Sequence, residues 1–182
     1  MNDPNPLVSD GRSIDDRRVE AFVNIFSDLV FKVPSITHLQ IHSKISSRRT
    51  YAYEFAYNPP GSGPYGPREP EWLNVAADHG DEIPFVIGSV LAQENICQLT
   101  GVERCGQYNR REKLLSTDIM NLWTSFAKSG KLDRRHKQFE FRGDQSYIIL
   151  DINGTRSDTY LRSAEHRFAA DLDEIALQAR GI

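Results

Sequence analysis

The chain has 182 residues, enough for one domain or for part of a larger one. It is 39% hydrophobic and 26% charged, a globular composition, and its net charge of −3 with a pI near 6.0 gives no electrostatic reason to expect a nucleic-acid partner. No apolar stretch approaches the roughly 20 residues that span a bilayer.

In chain order, residues 1–12, "MNDPNPLVSDGR", read as a disordered tail; they hold neither the basic nor the apolar segment of a signal peptide, so no route into the secretory pathway is expected from them. Ser13 and Asp16 have the spacing of a capping box, with Asp in place of Glu. Val19, Phe22, Val23, Phe26, Leu29, Val30 and Val33 then recur at three- and four-residue steps, the apolar face of a helix that Pro34 should kink or restart. A second helix carrying Ile36, Leu39 and Ile41 is expected to run to about Lys44. "TYAYEFAY", residues 50–57, predicts a strand, with Tyr51, Tyr53, Phe55 and Tyr57 on one face. Ala52, Glu54 and Ala56 form the other face, small enough for a helix to cover closely. The proline- and glycine-rich stretch "NPPGSGPYGPREPEW" is a long loop, and loops of that length inside compact domains are usually functional or disordered.

Residues 89–112 read as a polar excursion holding both cysteines, Cys97 and Cys105, which could pair locally or stay free; their spacing fits neither a CxxC redox pair nor a four-ligand zinc site. Leu115, Ile119, Leu122, Trp123, Phe126 and Ala127 predict a helix with Lys128 in its last turn and Gly130 as its stop, and Trp123 and Phe126 read as core. "KLDRRHKQ" reads as an exposed charged link, "SYIILDI" (146–152) as an apolar strand, and Ala164 to Ala179 as a final amphipathic helix. Asn153-Gly-Thr matches a glycosylation sequon, at a frequency that chance also supplies. No internal repeat or clear domain boundary is evident. The expected class is α/β, but two strands make too little sheet: a strand apolar on both faces needs neighbours on both sides.

Four blocks resemble one family in order and spacing. Asp28-Leu-Val-Phe31-Lys-Val-Pro34-Ser35 resembles the helix segment "D..F..PS" of the type-B carboxylesterases, the family of liver-type carboxylesterases and cholinesterases. Tyr51-Ala-Tyr53-Glu54-Phe55 resembles the strand before its catalytic histidine. Asp78-His79-Gly80-Asp81-Glu82-Ile83-Pro84-Phe85-Val86-Ile87-Gly88 is similar to its "DHGDE..FVFG" block, and Leu115-Ser116, Met120, Trp123, Phe126-Ala127 and Gly130 to the following helix. The likeness covers about residues 13–160, more weakly to 182, and departs from the family after Gly130, where Pro-Asn and Trp-Pro give way to "KLDRRHKQFEF". It implies the C-terminal portion of an α/β-hydrolase fold, mainly helices with a few strands of an incomplete sheet. It also implies His79 as the triad histidine and carboxylic esters as substrates, with no cofactor; the family usually occupies the secretory pathway or the cell exterior.

Such an enzyme needs a serine made nucleophilic by an imidazole whose other nitrogen meets a carboxylate. In this fold the chain order is Ser, acid, His. No serine here sits in G-x-S-x-G: Ser62 lies between Gly61 and Gly63, but Pro60 and Pro64 occupy the motif's glycine positions, and Ser13 has Gly11 before it but Asp15 after. An oxyanion-hole glycine run is absent too. The sequence is therefore expected to be a fragment or truncated product, inactive alone, with nucleophile and acid upstream. Asp78, His79, Asp81 and Glu82 lack the helix-face spacing of HExxH, so no metal site is expected; Asp81 and Glu82 should hydrogen-bond the loop backbone or cap the next segment. His38, His42, His136 and His166 are expected on helix or link surfaces, and Trp72 either packs the loop or borders an ester pocket. The rival readings are a non-catalytic, neuroligin-like binding protein and a small independent interaction protein. Retention of His79 argues against the former, and bare strand edges against the latter.

Overall fold

The computed structural model describes residues 13–46, 48–59, 77–92 and 108–159. These fall into two compact units, residues 13–41 and residues 42–159. Much of the proline-rich loop with Ser62 and Trp72, the two cysteines, and the expected final helix with His166 lie outside the described residues.

In the first unit, α1 (Ile14–Ser27) begins with the expected capping box: Ser13 Oγ accepts the Asp16 N–H at 3.0 Å, and Asp16 Oδ2 accepts the Ser13 N–H at 3.0 Å. The apolar periodicity does form a helix, but α1 buries none of its residues, and Phe22 is 68% exposed. Its phenylalanines pack on one another instead, Phe22 on Phe26 and Phe26 on Phe31, each pair with centroids 6.3 Å apart. At Pro34 the helix restarts through a π turn, Asp28–Lys32, before α2 (Val33–Ile45). A proline ring collides with the carbonyl four residues back and offers no N–H; the wider turn, in which the Val33 N–H reaches the Asp28 carbonyl, absorbs both. Lys32 Nζ lies 2.6 Å from Asp28 Oδ1 across that turn.

The second unit is a three-stranded sheet with a long helix against it. Strand β1 (Tyr53–Phe55) pairs in parallel with β2 (Tyr147–Asp151), Tyr53 opposite Ile148. Strand β3 (Gly154–Asp158) returns antiparallel to β2, closing a hairpin at Asp151 and Gly154, whose φ is +110°. β3 was not expected: "GTRSD" has no apolar residue to mark it, and it pays no hydrophobic toll because it lies largely exposed at the sheet's edge.

α3 (Ile83–Val86) and a 3-10 turn (Ser89–Leu91) follow the histidine loop. α4 (Arg110–Ser129) begins two residues before the end of the expected polar excursion and stops, as expected, at Gly130, φ +63°. Its start is a capping box: Asn109 Oδ1 accepts from the N–H of Arg111 and Glu112, and Glu112 Oε2 accepts the Asn109 N–H at 2.6 Å. Phe85, Val90, Tyr108, Leu115, Ile119, Ile148 and Leu150 form the core between α3, α4 and β2. Burial of one such large side chain contributes about 1.5–3 kcal/mol.

One expectation about α4 changes. The aromatic face of β1 meets this helix: Tyr53 packs on Trp123 with centroids 4.9 Å apart and Tyr51 on Phe126 at 5.8 Å. Trp123 is half-buried and packs against the core as read, whereas Phe126, 45% exposed, lies on its rim. His38 and His42 are exposed as expected, but His136 is buried. The link carrying it is drawn in by neighbours on both sides: Tyr51 Oη accepts the Leu132 N–H at 3.3 Å, Thr50 O accepts the Phe139 N–H at 2.9 Å, and Ser43 Oγ donates to Phe139 O. No helix among the described residues is long and apolar enough to cross a membrane.

Candidate active site

His79 occupies the second position of a tight turn, Asp78 to Asp81, closed by the Asp81 N–H on the Asp78 carbonyl at 3.2 Å. Gly80 stands third with φ +90°, the pattern of a type II turn. A Cβ built on Gly80 would meet nothing closer than Ile83 Cδ1 at 3.6 Å, so the backbone angle is what calls for glycine there.

The turn is held from within and from below. Asp81 is 3% exposed, and its Oδ2 accepts the Asp78 N–H at 2.7 Å; Asp78 Oδ1 accepts the His79 N–H at 2.6 Å. The Ile83 N–H donates to the Gly80 carbonyl at 3.1 Å, passing the turn directly into α3. α3 is in turn fastened to α4, where the fully buried Ser116 Oγ donates to the Phe85 carbonyl at 2.9 Å. Gly88, φ +78°, lets the following bend approach α4 so closely that a Cβ there would lie 2.8 Å from Met120 Sδ. Glu112, 1% exposed, accepts from Tyr57 Oη at 3.0 Å, connecting α4 to the chain just after β1. The outcome is an exposed His79 on a corner whose backbone is fixed by buried groups.

As expected, the Asp81 carboxylate serves the loop backbone. Glu82 caps α3 by position alone, with no side-chain hydrogen bond to the helix. Its carboxylate instead bears on Tyr53, whose phenol is pushed above its usual range first by burial and then by Glu82. Ser116 and Glu112 are the supports that reading the sequence missed. Asn109 and Glu112 at capping-box spacing could have revealed the helix start, but nothing local reveals that Glu112 also meets Tyr57, 55 positions away.

Among the described residues no group of three or more His, Cys, Asp or Glu is placed to hold a metal ion. A polar hollow of about 660 Å³ lined by Ser43, Arg48, Arg49, Ser129 and Phe139 does not include His79. Its arginines and hydroxyls pair no nucleophile with a base.

The architecture is that of the α/β-hydrolases: the chain matches the structure of PNB esterase with a TM-score of 0.56 and 22% identity, over 81% of this chain and 27% of that one. The sequence also matches the Carboxylesterase family over residues 7–169, and the chain belongs to that family. Liver carboxylesterase from Sus scrofa is 29% identical over 158 residues, 86% of this chain and 25% of its own. Carboxylesterase 1E from Rattus norvegicus is 31% identical over 158 residues, with the same coverage of 86% and 25%. The chain therefore spans about a quarter of the length of these relatives.

Proposed function

We propose that this chain is the histidine-bearing part of a serine carboxylic-ester hydrolase, with the nucleophile and the triad acid on polypeptide outside these 182 residues, and that it does not turn over esters alone. The observation that carries the reading is the exposed His79 on a turn anchored through the N–H groups of Asp78, His79, Asp81 and Ile83. A general base must be held in place, because small displacements cost large factors in rate. Further support comes from Asp81, whose carboxylate is engaged with the Asp78 N–H and lies too near in sequence to align on the far imidazole nitrogen, and from the lack of a G-x-S-x-G anywhere in the chain.

In the joined enzyme, one imidazole nitrogen of His79 takes the serine proton as the serine oxygen attacks the ester carbonyl, and returns it to the departing alcohol. Water then repeats the sequence to release the acid. A carboxylate on the other nitrogen holds the tautomer and stabilises the imidazolium. Nothing in the comparisons favours the binding-protein alternative.

The test is a chimera in which this chain replaces the matched quarter of the Sus scrofa liver carboxylesterase. A fluorophosphonate probe should label the chimera, and His79→Gln should lower its kcat on p-nitrophenyl acetate by at least about 10⁴-fold. The isolated chain should stay unlabelled; labelling at one of its own serines, or a His79→Gln chimera as fast as its parent, overturns the proposal.

A further inference from the structure

Asn153-Gly154-Thr155 stands at the tip of the β2–β3 hairpin, where Asp151 pairs with Gly154 and only Ile152 and Asn153 make the turn. An asparagine in a tight turn usually has a structural duty, its side chain bonding to the backbone about two residues on. Here Asp151 carries that duty: its Oδ1 accepts the Ile152 N–H at 2.6 Å, and its Oδ2 meets Arg156 Nη1 at 3.4 Å. The Asn153 side-chain amide and the Thr155 hydroxyl hold no hydrogen bond among the described residues. Asn153 is exposed and Thr155 partly so. The space around the tip is open as well. A Cβ built on Gly154 would meet nothing within 4 Å, and Asn153 borders a hollow of about 370 Å³ with Arg111, Leu114 and Asp118. No other asparagine of the chain is followed two residues on by Ser or Thr; Asn95-Ile96-Cys97 comes nearest, with Cys in that place.

We infer that Asn153 is an acceptor for an N-linked oligosaccharide, delivered from a lipid-diphosphate donor. In the transfer, the Asn153 side-chain nitrogen forms a bond to the anomeric carbon of the first sugar. The bond from that carbon to the diphosphate oxygen breaks, the lipid diphosphate leaves with its electron pair, and the nitrogen gives up one proton; nothing is oxidised or reduced. A sugar chain is bulky and hydrated, so it belongs on a surface residue whose side chain supports nothing else. The hairpin tip meets that condition. Its strands are held by the pairing of Tyr147–Asp151 with Gly154–Asp158, and its turn by Asp151, so the Asn153 amide can be modified with no native bond lost. Chance can supply the three-letter pattern, but it does not by itself seat that pattern on an exposed turn with both polar groups uncommitted. This inference does not depend on the role of His79.

The experiment translates the full chain behind a cleavable secretory leader in the presence of microsomes, with protease protection selecting the imported chains. These should carry one glycan, seen as a mass increment that a peptide N-glycosidase removes. Asn153→Gln and Thr155→Ala should each abolish the increment, whereas Thr155→Ser, which keeps the hydroxyl, should retain it. Hydrogen exchange should find the amides of β2 equally protected in the glycosylated chain and in Asn153→Gln, because the sugar projects from the tip and not into the sheet. In the chimera with the Sus scrofa enzyme, led into the same compartment, Asn153→Gln should likewise remove the mass of one glycan. Imported chains without an increment, an increment that survives Asn153→Gln, or loss of β2 protection on glycosylation overturns the inference. So does a chimera whose mass is the same with and without Asn153→Gln, the result expected if the rest of the enzyme covers the tip.

Discussion

Nδ1 of His136 is buried with no hydrogen-bond partner, inside a run of charged neighbours that face water. Its Nε2 lies 4.0 Å from Asp133 Oδ1, yet the imidazole pKa is lowered: burial outweighs the attraction of Asp133, and Arg135 adds to the lowering. Asp133 is turned instead to Arg135, whose Nη2 sits 2.6 Å from its carboxylate and is the main reason that carboxyl is held below its usual range. A lowered folded pKa means that the unfolded chain binds the proton more readily. Stability is then full above the unfolded value of about 6.5 and falls as pH drops below it. Chemical denaturation between pH 7.5 and about 5 should show wild type losing stability where His136→Gln does not. Carboxylates such as Asp144, also held low, through Ser146 and Lys137, lose their contribution only at lower pH, so the window belongs to the histidine.

At the scale of elements, the histidine turn depends on one buried contact between two helices. Ser116 Oγ donates to the Phe85 carbonyl, which lies within α3 just past the turn. Ser116→Ala should destabilise the chain by about 1–3 kcal/mol, because the carbonyl stays buried without its donor. The loss should fall unevenly, with amide exchange rising most at Ile83 and Ile87, whose N–H groups bond within the turn and α3. In the chimera, the same change should lower kcat more than it raises KM, since it loosens the base and not the substrate pocket. Equal effects on both parameters would place Ser116 outside the positioning of His79.

Across the whole molecule, protection should follow burial. α4 and β2 carry the core, with Ile119 and Leu150 wholly buried, whereas α1 buries no residue. Native-state hydrogen exchange should therefore find the amides of β2 and of α4 around Ile119 opening only with global unfolding, and those of α1 opening locally at lower free energy. Uniform protection across the three would count against this division.

The sequence by itself determined the local and the periodic. The Ser13–Asp16 cap, the restart at Pro34, the stop at Gly130 and the strand at 146–152 each follow from groups within a few positions of one another, and the order of its motifs was enough for the family. Tertiary structure alone decided which face of β1 meets α4, that polar "GTRSD" completes the hairpin, that His136 is buried, and that Glu112 and Ser116 brace the histidine turn. Those outcomes depend on partners tens of residues away, such as Tyr57 for Glu112 and Phe85 for Ser116. Burial of a polar side chain is stable only where the fold delivers the matching donor or acceptor, and no local pattern records that delivery.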